Sequence, residues 1–122
     1  MKLQQALSYI NDIYHNVYDD DYKIKWISEL DGHIFNEIIS QTNTSETFSG
    51  YKKGADEETE LFAPFPYDNI YAAYIISKID YLNGETTKYN NDLITFNQIW
   101  EDFAAWYKRK HISKSICFKN LL

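Results

Sequence analysis

The chain has 122 residues, 44% of them hydrophobic and 17% aromatic, with a net charge of −6. That length fits one domain with one core, and so aromatic a composition excludes a disordered chain. No apolar run approaches the roughly 20 residues of a membrane span, and Met1 to Val17 lacks the continuous apolar stretch of a signal peptide.

The first predicted helix covers about Leu3 to Val17. Leu3, Leu7, Ile10, Tyr14 and Val17 recur at spacings of 4, 3, 4 and 3, which is one helical stripe. Asp19, Asp20 and Asp21 then interrupt it, and one of them is expected to cap the next helix.

The second predicted helix runs from about Tyr22 to Ser40 on the stripe Ile27, Leu30, Ile34 and Ile38, with Trp26, Phe35 and Ile39 beside it. Gly32 sits inside the pattern. The apolar phase survives it, so it reads as a close-packing or kink point in one helix. A helix ending at Gly32 is the competing reading.

Residues 41–63 are polar and Gly-containing, with an acidic run from Asp56 to Glu60, yet they hold Phe48, Tyr51, Leu61 and Phe62. Structureless loops beyond about 15 residues are uncommon in compact domains. A short β-hairpin, or a loop that orders on a partner, accounts for both features.

The third predicted helix follows Pro64-Phe65-Pro66, with Asp68 as its cap, and stops at Asn83-Gly84 because Gly readily turns left-handed at a helix end. The fourth runs from about Thr87 to Lys110. Its stripe of Tyr89, Leu93, Phe96, Trp100, Phe103 and Tyr107 is the strongest periodic signal in the chain. Packing in the domain's own core is its first use, with Trp100 and Phe103 both buried. A helix of another subunit is the alternative.

Charge is unevenly placed. Through Tyr107 there are 7 basic and 18 acidic residues, a net −11, whereas Lys108, Arg109, Lys110, Lys114 and Lys119 make the rest +5. An acidic body repels phosphates, which argues against tight nucleic-acid binding. The basic tail either closes a helix C-terminus or meets an acidic surface.

Chemistry needs residues at defined spacing. His33 and Glu37 share a helix face but offer two of the three or four ligands that zinc needs. Asp19 to Asp21 fails the EF-hand pattern, since Lys23 and Lys25 intrude and Leu30 stands where the twelfth-position Glu belongs. Asp56 to Glu60 is similar to the acidic helix of all-α nucleotide pyrophosphohydrolases, but the second carboxylate pair of that arrangement is missing downstream. There is no phosphate loop and no nucleophile elbow. Cys117, the single cysteine, cannot form an internal disulfide and suits a reducing compartment. No enzyme activity, cofactor or metal is expected.

The reading is therefore an all-α, four-helix domain over 1–111, with a long loop between the second and third helices and a basic tail over 112–122. Its candidate protein-contact residues are Phe48, Tyr51, Leu61, Phe62, Phe65, Tyr67, Trp106 and Phe118.

Several phrases resemble a family of small proteins encoded in prophages of Gram-positive bacteria. They are Lys25-Trp26-Ile27-Ser28-Glu29-Leu30-Asp31-Gly32, Phe48-Ser49-Gly50-Tyr51, Pro66-Tyr67-Asp68 with Tyr74, Ile79-Asp80-Tyr81-Leu82-Asn83-Gly84-Glu85, Tyr89-Asn90-Asn91, Phe96-Asn97 and Ala105-Trp106-Tyr107. The family looks like the head–tail connectors, or adaptors, of long-tailed phages. The resemblance implies an all-α virion protein that forms a ring beneath the portal, meets portal and tail-completion proteins, lets DNA pass through and has no catalytic residues. It would be made in the host bacterial cytoplasm and end in the virion. The sequence departs from the pattern at its end, where Ile112 and Ser113 follow His111 instead of a Pro two residues on, and where a tail to Leu122 is added. A small helical Mg-dependent hydrolase and a DNA-binding packaging or regulatory protein remain the alternatives.

Overall fold

The computed structural model describes residues 1–42, 46–52, 55 and 58–120, with residue 42 and residues 112–120 described as backbone alone. The protein is all-α, and among the described residues there are four α-helices and no strand. They are α1 (Leu3–Ile13), α2 (Asp20–Ile34), α3 (Ile70–Leu82) and α4 (Thr86–Asn120).

α3 is the centre of the fold and packs against each of the other three helices. Ile70, Tyr71, Ile75 and Ile79 are fully buried along it. They meet Leu3 and Ile10 of α1, Ile27, Leu30 and Ile34 of α2, and Phe103 of α4, all but Leu30 at zero exposure. A helix apolar on most of its circumference belongs inside.

Four local structures differ from the sequence reading. α1 ends at Ile13, and Tyr14 turns extended (φ −142°, ψ 99°). Its hydroxyl donates to Asp80 of α3, while Val17 is 91% exposed. The helix thus ends one turn before its apolar stripe does, at a residue tied to a buried carboxylate of α3. α2 passes through Gly32 unbroken. It ends in a wide π turn (Phe35–Ile39) and a 3-10 turn (Ser40–Thr42). A Cβ added at Gly32 would meet nothing within 4 Å, so this glycine is not a close-packing point. A 3-10 turn (Tyr67–Asn69) leads into α3, and no side chain, that of Asp68 included, caps either element. α4 runs to Asn120 instead of stopping near Lys110.

The helix starts and stops otherwise follow the sequence. Asp20 and Asp21 lie in the first turn of α2, where a negative charge favours the dipole. Asp19 precedes that turn and caps it through its backbone oxygen rather than its side chain. α3 ends in a Schellman turn. Glu85 N–H donates to Asp80 O at 2.9 Å, Gly84 N–H donates to Tyr81 O at 3.2 Å, and Gly84 has φ +74°.

The segment before α3 forms no hairpin among its described residues. It touches the N-terminus through one isolated bridge, Lys2 to Glu60. Leu3 N–H donates to Thr59 O and Leu61 N–H to Met1 O, at 2.8 and 2.9 Å.

Candidate interaction surface

Residues 51, 62 and 63 are tied to α2 and α3 through one buried carboxylate. Asp31 lies in the apolar phase of α2 and has zero exposure. Tyr71 of α3 donates its hydroxyl to Oδ1 at 2.6 Å, and Tyr51 donates to Oδ2 at 2.5 Å. Phe62 N–H approaches Oδ2 at 3.4 Å, and Ala63 N–H donates to the Tyr71 oxygen at 2.8 Å. Burial pushes the Asp31 carboxyl above the usual range, while the two tyrosine hydrogen bonds oppose that shift. Burial and the adjacent carboxylate push both hydroxyls up, so both remain donors.

Gly50 completes the tie. Tyr51 N–H donates to Ser28 Oγ at 2.8 Å, which brings the backbone close to α2. At Gly50 φ is +95°, and an added Cβ would stand 2.6 Å from Ser28 Oγ. Only glycine satisfies both the dihedral and the approach.

The predicted contact residues divide accordingly. Phe48, Tyr51 and Phe62 gather with Phe35, ring centroids 4.9–6.1 Å apart, and Leu61 is buried. These four pack on their own domain. The reason is that Asp31, Tyr71 and Ser28 supply the polar partners the loop backbone needs. The Tyr67 and Trp106 rings lie 5.3 Å apart with their planes tilted by 36°, and Tyr67 is 5.7 Å from Phe103. Phe65 is 84% exposed. Phe118 has its side chain outside the described residues.

On α4, Phe103 is the one buried residue among those with described side chains. Trp100, expected to be buried, is half-buried, as are Tyr89, Leu93, Phe96 and Tyr107. The stripe lines an open groove, whose other wall is α3 beside Tyr89 and Leu93, and α2 with its π turn beside Trp100 and Tyr107. Hollows of about 450, 300 and 430 Å³ follow one another along it, sharing Phe96 and then Trp100.

A second groove, of about 730 Å³, lies between α2 and residues 48–51, with Asp19, Asp21 and Glu29 on its rim. Sequence reasoning assigned it no role. The signal was available in Ser28, Asp31 and Gly50, because a carboxylate on an apolar stripe requires donors from elsewhere.

Some polar residues weighed as functional have structural partners. Lys23 is buried and donates to Asn11 Oδ1 at 2.6 Å and to Tyr18 O at 2.9 Å, so it is not presented to nucleic acid. Glu58 pairs with Lys2 at 2.7 Å and Glu60 with the N-terminal amine at 3.0 Å. Asp56 and Glu57, the rest of that acidic run, lie outside the described residues. His33 and Glu37 form an exposed pair at 3.5 Å. Among the described residues no three His, Cys, Asp or Glu side chains converge as a metal site, and no helix is long and apolar enough to cross a membrane.

A pair of carboxyl groups links α3 to α4. Asp80 is 1% exposed and accepts from Tyr14, whose hydroxyl that bond pushes up to about 12. Asp92 faces Asp80, and its Oδ2 is enclosed without a donor. Two carboxylates hold acceptors only, so a proton on Asp92 turns the clash into a hydrogen bond. Burial, and then Asp80, raise Asp92 to about 7, opposed by Lys88. A group raised from 3.8 to about 7 contributes stability that is fully present below 3.8 and is lost as the pH rises through 7. Asp31, also raised, acts with the same sign. The melting temperature should therefore fall between pH 4 and pH 7. Asp92→Asn supplies a permanent donor and should flatten that fall in a thermal melt series. An unchanged slope would exclude Asp92 as its source.

No family model matches the chain, and neither a curated protein nor a solved structure does.

Proposed function

We propose that this chain is a virion structural protein, a head–tail connector subunit that acts by assembling copies into a ring between portal and tail. The observation that carries the reading is the half-covered aromatic face of α4. A helix serving only its own core would bury Phe96, Trp100 and Tyr107 as it buries Phe103. Rigid aromatic groups left at a surface groove are the residues that dominate protein contacts. The resemblance of the phrases between Lys25 and Tyr107 supports the same reading. So does the acidic body, since a wall around passing DNA should not hold it.

Individual contacts between such subunits are weak alone and add when several act on one platform. A monomer in solution is therefore compatible with the reading, and the decisive test is genetic. Deleting the gene from an inducible prophage that carries it should leave filled or leaking heads beside separate, intact tails in the lysate. Normal infectious particles would overturn the proposal. Empty procapsids would point to packaging instead.

A further inference from the structure

We propose that the basic last turns of α4, residues 108–120 of one copy, dock in the acidic-rimmed groove between α2 and residues 48–51 of a second copy. The proposal rests on the ring reading and names the contact that repeats around the ring.

Three observations lead to it. The first is charge. The groove is lined by Asp19, Asp21 and Glu29 with one cation, Lys25, and Lys78 of α3 stands 3.9 Å from Glu29 outside that lining. The segment after Tyr107 carries five Lys and Arg and no acidic residue. Complementary charge of this kind selects the partner and fixes register.

The second is size. The groove follows α2 from Asp19 to Gly32, about 20 Å at 1.5 Å per residue. Residues 108–120 are helical, and as 13 residues they span about the same length. Ile24 and Phe48 contribute apolar lining. Gly32 keeps its end of the groove open, because even a Cβ there would touch nothing. In the tail, Ile112 and Ile116 are four apart and so share a helix face. An amphipathic helix in a groove is a recurrent mode of recognition.

The third is direction, and it makes the occupant another copy. Phe96 and Asn97 of α4 lie by Leu30 and His33, whereas Lys108 and His111 lie by Glu37 and Gln41. The two helices advance together, so an unbroken α4 moves away from Asp19 as it passes His111. The tail leaves at one end of the molecule, and the acidic groove opens toward the other. Two different patches meeting in this way form a heterologous contact, which repeats from copy to copy and closes into a ring or runs on as a filament.

The test uses the full chain and a labelled peptide of residues 104–122, followed by fluorescence anisotropy and by amide shifts. Saturable binding is expected, with shifts at residues 19–32 and 48–51. Asp21→Lys with Glu29→Lys in the chain should weaken it roughly tenfold or more. So should Lys114→Glu with Lys119→Glu in the peptide, a change that leaves the chain's folding untouched. Combining both reversed partners should restore binding. The proposal is overturned if no saturation occurs up to about 1 mM, or if a scrambled peptide binds equally. It also fails if the reversed pair does not recover, or if the shifts fall on the α4 groove. Connector-defective particles without peptide binding would remove this contact and leave the ring reading. Peptide binding with normal particles from the deletion would do the reverse.

Discussion

Phe103→Ala should destabilise the protein by about 3–5 kcal/mol, the usual cost of emptying a buried aromatic site. Phe103 has zero exposure and touches Tyr67, Trp106 and Tyr107 by its ring edges and faces. It is the point where α4 enters the core, so neighbouring groups cannot collapse inward without shifting the helix. With total stability on the order of 5–15 kcal/mol, the variant should be near the edge of folding. Trp100→Ala, three residues earlier on the same stripe, should cost only roughly 1–2 kcal/mol, because its half-exposed ring leaves less apolar area to lose and no closed cavity. Urea unfolding at low protein concentration measures both. Equal losses would mean that the Trp100 groove is covered in solution, and the open face of α4 would then be withdrawn.

Asp31→Ala should cost about 3 kcal/mol, although it removes a carboxylate whose burial is itself unfavourable. Two hydrogen bonds to the charged group disappear, each worth roughly 1.5–3 kcal/mol. Tyr71 is left buried without its acceptor, and Tyr51 loses the bond that holds residues 48–51 on α2. Relief of desolvation offsets part of this, since burial opposes the charged form. Asp31→Asn should therefore cost less than Asp31→Ala, because it keeps an acceptor and drops the charge. Tyr71→Phe should cost more than Tyr51→Phe, because it also strands Ala63 N–H in the core. Limited proteolysis in the 48–63 segment should rise in Asp31→Ala and stay near the parent level in Asp31→Asn. If Asp31→Ala keeps the parent's urea midpoint, the carboxylate is not what anchors the loop.

Much of the architecture was legible in the chain. The stripe Ile27, Leu30, Ile34 and Ile38 marked the inward face of α2, and Asn83-Gly84 marked the end of α3. These features depend on periodicity and on one glycine's freedom at positive φ, which are local properties. The charge division that supports the proposed tail contact is also a property of sequence alone.

The tertiary structure decided which of several equally amphipathic faces received cover. Periodicity reports that a residue lies on an apolar stripe, but not how many neighbours reach it. Phe103 and Trp100 occupy the same stripe, yet the first is fully buried with Tyr67 of the 3-10 turn before α3 against it, whereas the second is half-buried beside a groove. The same limit explains residues 48–63. Nothing local told Tyr51 and Phe62 that Asp31, 20 and 31 residues away, would supply their polar partner. Helix periodicity is set within a turn or two of backbone. Burial and the satisfaction of buried polar groups are set by contacts between distant segments, and those exist only once the chain has folded.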